Sequence, residues 1–408
     1  MHARSPAAPA AYLVGRVWLP FACAYFLSFG LRNVNAVLAP RLAGELALDA
    51  SQLGLLTSAY FAAFALAQLP AGVALDRYGP RRVNAALMLA GAAGCVLQLA
   101  GTSFVQVAAG RALLGLGMAV CLMSAVKALS QWFALARLPL GTSLLLTLGS
   151  LGGIVAAGPV GWALEFVSWR AVLGVAAALL VAAACFLYLV APDRGEAAAG
   201  DSWLELAAGF GAIFSSAAFW RVGAMLAVSG GAYSAVQSLW IGTWLRDVGG
   251  LAPDAVVRAL TVFALATTAG YVVTGTLIDR LMRWGVAPFT LYKLHCGAVI
   301  AVFALIVFGD ARLAVPLWLV YFGLGMGGPL VFTILARAFP ARLAGRVNTA
   351  VNVLMFGSAF ALQWAIGALL DQWPMQDGRY AAAGYTAAFG GLLAAMCALY
   401  ALLLRTKP

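Results

Sequence analysis

The chain has 408 residues, of which 64% are hydrophobic and only 10% charged. A soluble domain carries roughly 25% charged residues, so this composition excludes a globular protein with a water-covered surface. The net charge of +11 is scattered between apolar stretches instead of forming one stripe, which argues against nucleic acid and for a membrane orientation signal.

Apolar stretches of about 20 residues, each able to cross roughly 30 Å of hydrocarbon, recur from end to end. In chain order, twelve spans are expected near residues 17–40, 51–75, 83–102, 105–130, 140–164, 171–191, 221–244, 255–278, 287–308, 312–336, 347–370 and 381–404. The first is too long for a signal-peptide core and no small-residue cleavage site follows it, so it is expected to be retained. An even number of spans puts both termini on one side. Most of the 25 Lys and Arg residues fall on that side, which the positive-inside rule makes cytoplasmic. The expectation is an all-α, multi-pass protein of a cell inner membrane, monomeric, with the lipid bilayer as its surroundings.

The longest hydrophilic break, 192–220, divides the chain into an N-terminal bundle (1–191) and a C-terminal bundle (221–408) of six spans each. Within it, Trp203 to Trp220 reads as a helix lying on the membrane surface. An internal repeat supports the division. Gly72-x-x-x-Asp76-Arg77 after span 2 recurs as Gly275-x-x-x-Asp279-Arg280 after span 8. Two related halves imply a ligand site near the midplane between them. The cysteines (Cys23, Cys95, Cys121, Cys185, Cys296 and Cys397) all lie in apolar segments without paired spacing, so neither disulfide nor metal site is expected.

The segment Gly72-Val-Ala-Leu-Asp76-Arg77-Tyr-Gly79-Pro-Arg81-Arg82 resembles the loop 2–3 signature of the major facilitator superfamily. Arg111-x-x-x-Gly115-x-Gly117 is similar to that family's fourth-helix motif, and Gly152-Gly153 with Gly158-Pro159-x-Gly161 is similar to its fifth-helix pattern. The resemblance covers essentially the whole chain. It implies twelve transmembrane helices in two pseudo-symmetric six-helix bundles, a secondary transporter, and a latch formed by Asp76, Arg77 and Arg81. Asp279 and Arg280 form a weaker second copy. Physically, Asp76 can sit at the positive end of a neighbouring helix while the basic cluster holds the loop at the headgroups.

Arg32 is the informative charge. It lies about 22 Å into span 1 at 1.5 Å per residue, too deep to snorkel easily, and a mid-depth charge costs at least about 2.5–3.5 kcal/mol on insertion scales. Tyr25, Ser28, Arg32 and Asn35 recur at helical spacing on one polar face. Arg32-Asn33-Val-Asn35-x-x-x-x-Pro40 resembles the first helix of the organic-anion and organophosphate branches of the superfamily, where an arginine so placed holds the substrate's anionic group. Tyr60 on span 2 is a further candidate. In the second half, Tyr233, Gln237 and Trp240 on span 7, Thr267 and Tyr271 on span 8, and Asn348, Asn352 and Gln363 on span 11 form polar stripes that can line a cavity or bond between helices. Lys127 reads either as a lining of the cytoplasmic vestibule or as a snorkelling side chain. Arg111 reads as a packing or coupling residue.

All 14 acidic residues are expected in loops or at span ends, and the residue before Arg32 is leucine. An inward-moving monovalent anion meets about 2.3 kcal/mol per 100 mV of opposing potential, so exchange, or a proton carried on the substrate, is the expected solution. His295 is the fallback carrier, read as interfacial near the inner end of span 9. The second arginine that the organophosphate branch supplies on its seventh helix is missing here, which favours a singly charged or bulky substrate. The leading reading is a transporter of a small, monocarboxylate-like organic anion. Its alternatives are a multidrug or metabolite exporter, and a transporter-like ligand sensor. No nucleophile–base pair, metal cluster or phosphate loop points to an enzyme or a cofactor.

Overall fold

A computed structural model of the chain describes residues 10–133, 137–193, 203–310, 313–325, 327, 330–331, 334–335, 338–340 and 343–406. Ten helices among the described residues are long and apolar enough to cross a membrane. The other two expected spans are interrupted helices. Span 7 is Ala217–Ala235, a π-helical turn Val236–Trp240, and Ile241–Asp247. Span 10 begins as Ala314–Leu324, a helix that stops at Gly325 partway along the expected span. That stop has a local cause: Gly325 and Gly327 have φ of +71° and +67°, values that side-chain-bearing residues rarely adopt.

Several boundaries differ from those expected. The helix that begins at Trp203 ends at Phe214, and Trp220 belongs to span 7, where its indole donates to the carbonyl of Phe214 at 2.6 Å. Span 1 does not end at Pro40. After Leu19–Asn33 the chain passes Val34 and continues as Asn35–Leu46, with the proline inside that helix. Span 5 (Leu138–Ala157) breaks at Gly158–Pro159 into the short helix Pro159–Ala163, as a missing N–H in a helix interior demands.

Spans 1 to 6 pack among themselves, as do spans 7 to 12, and the two bundles meet mainly through span 2 (Ala50–Tyr78) and span 11 (Ala344–Leu370). In lipid this packing depends on close backbone approach more than on the hydrophobic effect. A methyl group at Gly152 would lie 2.1 Å from the carbonyl oxygen of Phe26, so spans 1 and 5 touch backbone to backbone.

The bundles close against each other toward the face opposite the termini. There Gly367 packs on Ala50, Gly242 on Ala36, and Gly161 on Val257. Asp371, at the end of span 11, accepts the N–H groups of Ala50 (2.9 Å) and Ser51 (2.7 Å) at the start of span 2. Asp49 caps the next N–H, that of Gln52, at 2.6 Å, so the first turn of span 2 is satisfied half by its own chain and half by the opposite bundle. Toward the termini the contact thins. Span 8 (Pro253–Arg283) buries Val256, Ala259, Leu260, Phe263, Thr267 and Gly270, and nothing between Gly270 and Arg283.

Candidate functional site

Arg32 lies one residue from the end of Leu19–Asn33, where the two bundles meet. Its guanidinium carbon is 4.8 Å from the ring centre of Phe356 on span 11, 5.0 Å from that of Phe64 on span 2, and 5.6 Å from that of Phe29. Phe64 meets Phe356 edge-on at 4.5 Å, and Phe61 stacks on Phe356 at 6.0 Å. The cation therefore sits in an aromatic cage closed from the other bundle. Its Nε is buried without a hydrogen-bond partner. Among the described residues it enters no ion pair. A charge held this way retains unused donor capacity, which an anion can take up.

Arg111 supports the cage from behind. Buried on span 4 (Phe104–Met118), it donates to the carbonyls of Leu31 (3.2 Å) and Arg32 (3.4 Å) and lies 5.1 Å over the ring of Tyr60. Tyr60 stacks on Phe64 at 5.9 Å. Four residues after Arg111, a methyl at Gly115 would lie 2.2 Å from the carbonyl oxygen of Tyr60, so the fourth-helix motif sets the depth of span 2 against span 4. The row Arg111, Tyr60, Phe64, Arg32, Phe356 links spans 4, 2, 1 and 11. Its two cations have different surroundings: Arg111 gives two donors to carbonyls and keeps only its Nε without a partner, whereas Arg32 is held mainly by ring faces.

The structure divides the remaining expected site residues. Asn33 and Gln237 line a small cavity of about 40 Å³ between the bundles, together with Phe29, Ser150, Phe263 and Thr267. Gln237 also donates to Thr267 at 3.3 Å. Tyr25 is buried with its ring against Gly149 of span 5. Tyr60 is buried in the aromatic row, its hydroxyl without a partner. Tyr271 and Asn352 are half-buried, the latter one turn from Phe356. Three others are committed to packing in this conformation. Asn35 is fully buried and donates to Thr57 at 2.8 Å, tying span 1 to span 2. Trp240 is fully buried and donates to the carbonyl of Gln363 at 3.1 Å. The Tyr233 hydroxyl lies 3.1 Å from that of Thr267 and donates to the carbonyl of Phe322 at 3.3 Å.

Among the latch residues, Arg81 donates to the carbonyl of Ala191 and to Asp193, both at 3.2 Å, and Arg82 pairs with the same carboxylate at 3.2 Å. The basic end of the motif is thus fastened to the end of span 6 in its own bundle. Arg77 lies exposed over Tyr78. The side chain of Asp76 lies outside the described residues. Asp279 is exposed and paired with Arg283 one turn on, while Arg280 lies over Trp284, so the second copy faces solvent in this state. Lys127 is half-buried and donates to the carbonyl of Leu75 at 2.8 Å, at the end of span 2.

His295 corrects its interfacial reading. It faces inward, into a cavity of the C-terminal bundle lined also by Ser229, Tyr233, Cys296, Tyr321 and Gly325. Phe29, Phe64, Phe356 and Asp371 were not singled out from sequence. The aromatic residues read as ordinary apolar spacing. A signal did exist for Phe356, which extends the Asn348, Asn352 stripe by one more turn.

The Major Facilitator Superfamily model matches residues 21–363, and the chain belongs to that superfamily. The chain is 29% identical over 178 residues to the galacturonate transporter of Dickeya chrysanthemi, covering 43% of this chain and 50% of that one. It is 27% identical over 272 residues to the probable L-galactonate transporter of Escherichia coli K12, covering 61% and 58%. A probable sulfoacetate transporter of Cupriavidus necator is 28% identical over 185 residues, covering 42% and 40%. The chain thus spans about half the length of the curated relatives it matches. Among solved structures, the nucleoside transporter NupG aligns with a TM-score of 0.74 at 14% identity, over 96% of this chain and 100% of that one. The D-xylose-proton symporter aligns with a TM-score of 0.74 at 13% identity, over 96% and 98%. These likenesses show the fold, and the chain is a multi-pass membrane protein of that architecture.

Proposed function

We propose that the protein is a secondary transporter of a small, singly charged organic anion of the sugar-acid type. Arg32 holds the carboxylate, while Asn33, Gln237 and Tyr271 face the body of the ligand. The observation that carries this reading is the partnerless Nε of Arg32 inside an aromatic cage shared by both bundles. A half-buried cation without a counter-ion is costly, and a ligand carboxylate offsets that cost by charge-assisted hydrogen bonding. The names of two relatives, a galacturonate transporter and a probable L-galactonate transporter, support a monoanion with a polar body.

In this reading the bundles 1–191 and 221–408, joined by 192–220, rock about the Arg32 layer, and the structure corresponds to the state open toward the termini. We place the protein in a bacterial inner membrane with both termini cytoplasmic, which makes the Asp371 contact the outer gate and the segment around Asp76 the inner one. Lys127, by its hold on Leu75, would stiffen that inner end. The test is counterflow in proteoliposomes. Vesicles loaded with unlabelled galacturonate should accumulate labelled galacturonate but not labelled galactose or a cationic dye. Accumulation of the neutral sugar or the dye in place of the acid would overturn the assignment.

A further inference from the structure

His295 is one of two histidines in the chain, the other being His2. It sits on span 9 (Pro288–Phe308), about 10 Å from the termini-side end of that helix at 1.5 Å per residue. Its ring lies against the point where span 10 stops: a methyl at Gly327 would meet the imidazole Cδ2 at 2.8 Å, and Gly325 lines the same cavity. The eleven-residue helix Ala314–Leu324 points its C-terminal end at this place. Helix C-termini carry partial negative charge, and unwound carbonyls at broken helices are favourable positions for a cation.

The cavity holds a second uncommitted group. Tyr321 is buried, lines it, and has a hydroxyl with no hydrogen-bond partner. Tyr233 forms the wall between this cavity and the central one, and its hydroxyl meets Thr267, to which Gln237 also donates. The groups facing His295 are Tyr233 and Ser229 from span 7, Tyr321 and Gly325 from span 10, and Cys296 from its own helix. The intervening residues of span 10, Met326, Gly328 and Pro329, carry no titratable group. Lys293, two residues away, is turned to the carbonyls of Leu404 and Thr406. Nothing charged therefore competes for the site among the described residues.

We propose that His295 is the proton-binding site of this carrier. Its imidazole takes up a proton on one side, the imidazolium is held by the end of span 10, and Tyr233, Thr267 and Gln237 pass its charge state to the central cavity. One proton moving with one monoanion makes the cycle electroneutral. This inference rests on the anion-transport reading, and the experiment separates the two. In ¹⁵N-histidine NMR of the purified protein in detergent, scanned from about pH 5 to 8, a resonance lost in His295→Gln should change reversibly between two states. That measurement needs no substrate. In proteoliposomes an acid outside should drive accumulation of labelled galacturonate, about tenfold per unit of pH gradient for one proton. His295→Gln should lose that response and keep counterflow, and Tyr321→Phe should shift the NMR titration. An imidazole that stays in one state across the range overturns the proposal, as does a His295→Gln protein still driven by the gradient. A titrating His295 with no galacturonate counterflow would instead overturn the substrate reading.

Discussion

The guanidinium of Arg32, on the first span of one bundle, lies 4.8 Å from the ring of Phe356, on the eleventh span of the other. This contact closes the cage around a cation whose Nε has no hydrogen-bond partner, and it is made between the two bundles that the proposed rocking motion would separate. Phe356 also touches Phe61 and Phe64, so a single side chain joins the aromatic row to the opposite bundle.

Replacing Phe356 with leucine preserves apolar bulk and removes the ring face. A desolvated cation–π contact is worth about 2 kcal/mol, so anion affinity should fall by about thirtyfold with thermal stability nearly unchanged. Calorimetric titration with galacturonate alongside a melting curve checks both. Unchanged affinity would mean that the ring is packing and no part of the site.

Asp371→Asn should loosen the face opposite the termini. The carboxylate receives two N–H groups from the start of span 2, and hydrogen bonds to a charged acceptor contribute about 1.5–3 kcal/mol against about 1 for neutral ones. The variant should move the population toward the opposite-facing state by about tenfold or less. Distances between spin labels on the ends of spans 2 and 11 read this directly; an identical distribution in the variant would show that Asp371 is no gate.

Arg111→Met should destabilise the fold and weaken binding together. Removal leaves the carbonyls of Leu31 and Arg32 without their donors, at a cost of about 1–3 kcal/mol each for buried groups. Arg111→Lys should rescue little, because one ammonium cannot reproduce two parallel donors above the Tyr60 ring. A lysine variant melting like the parent would remove Arg111 from its positioning role.

Glu45 gives a pH-dependent element outside the spans. Its carboxylate accepts from the Trp169 indole at 2.6 Å and pairs with Arg170, and these hydrogen bonds hold its pKa below the ordinary carboxylate value. A lowered folded-state pKa means that the contribution is present above the unfolded value, near 4.3, and is lost as pH falls through the folded one. Glu45→Gln should therefore melt below the parent at pH 7, with the difference shrinking on acidification below about pH 4. A gap that grows with acidification would contradict this pairing.

The architecture was legible in the sequence because hydrophobic length and the repeated Gly-x-x-x-Asp-Arg motif are local signals. Arg32 was legible for the same reason: a mid-span charge must have a use or a partner. The cage was not, because Phe64 and Phe356 look like any other apolar residue until spans 2 and 11 are brought together. The polar stripes were only half informative. Gln237 reaches the central cavity, whereas Asn35 and Trp240 face neighbouring helices, since helical spacing fixes a face and not what that face meets. His295 was misplaced because its depth was read without the break at Gly325, which turns that part of the bundle interior into a polar pocket.

The most direct test of the account is anion binding to purified Arg32→Gln and Arg32→Lys proteins, with galacturonate as the probe and a melting curve as the control. Glutamine should abolish binding, lysine should restore little of it, and both proteins should melt near the parent temperature, because Arg32 enters no ion pair among the described residues. Normal galacturonate affinity in a stable Arg32→Gln protein would contradict it.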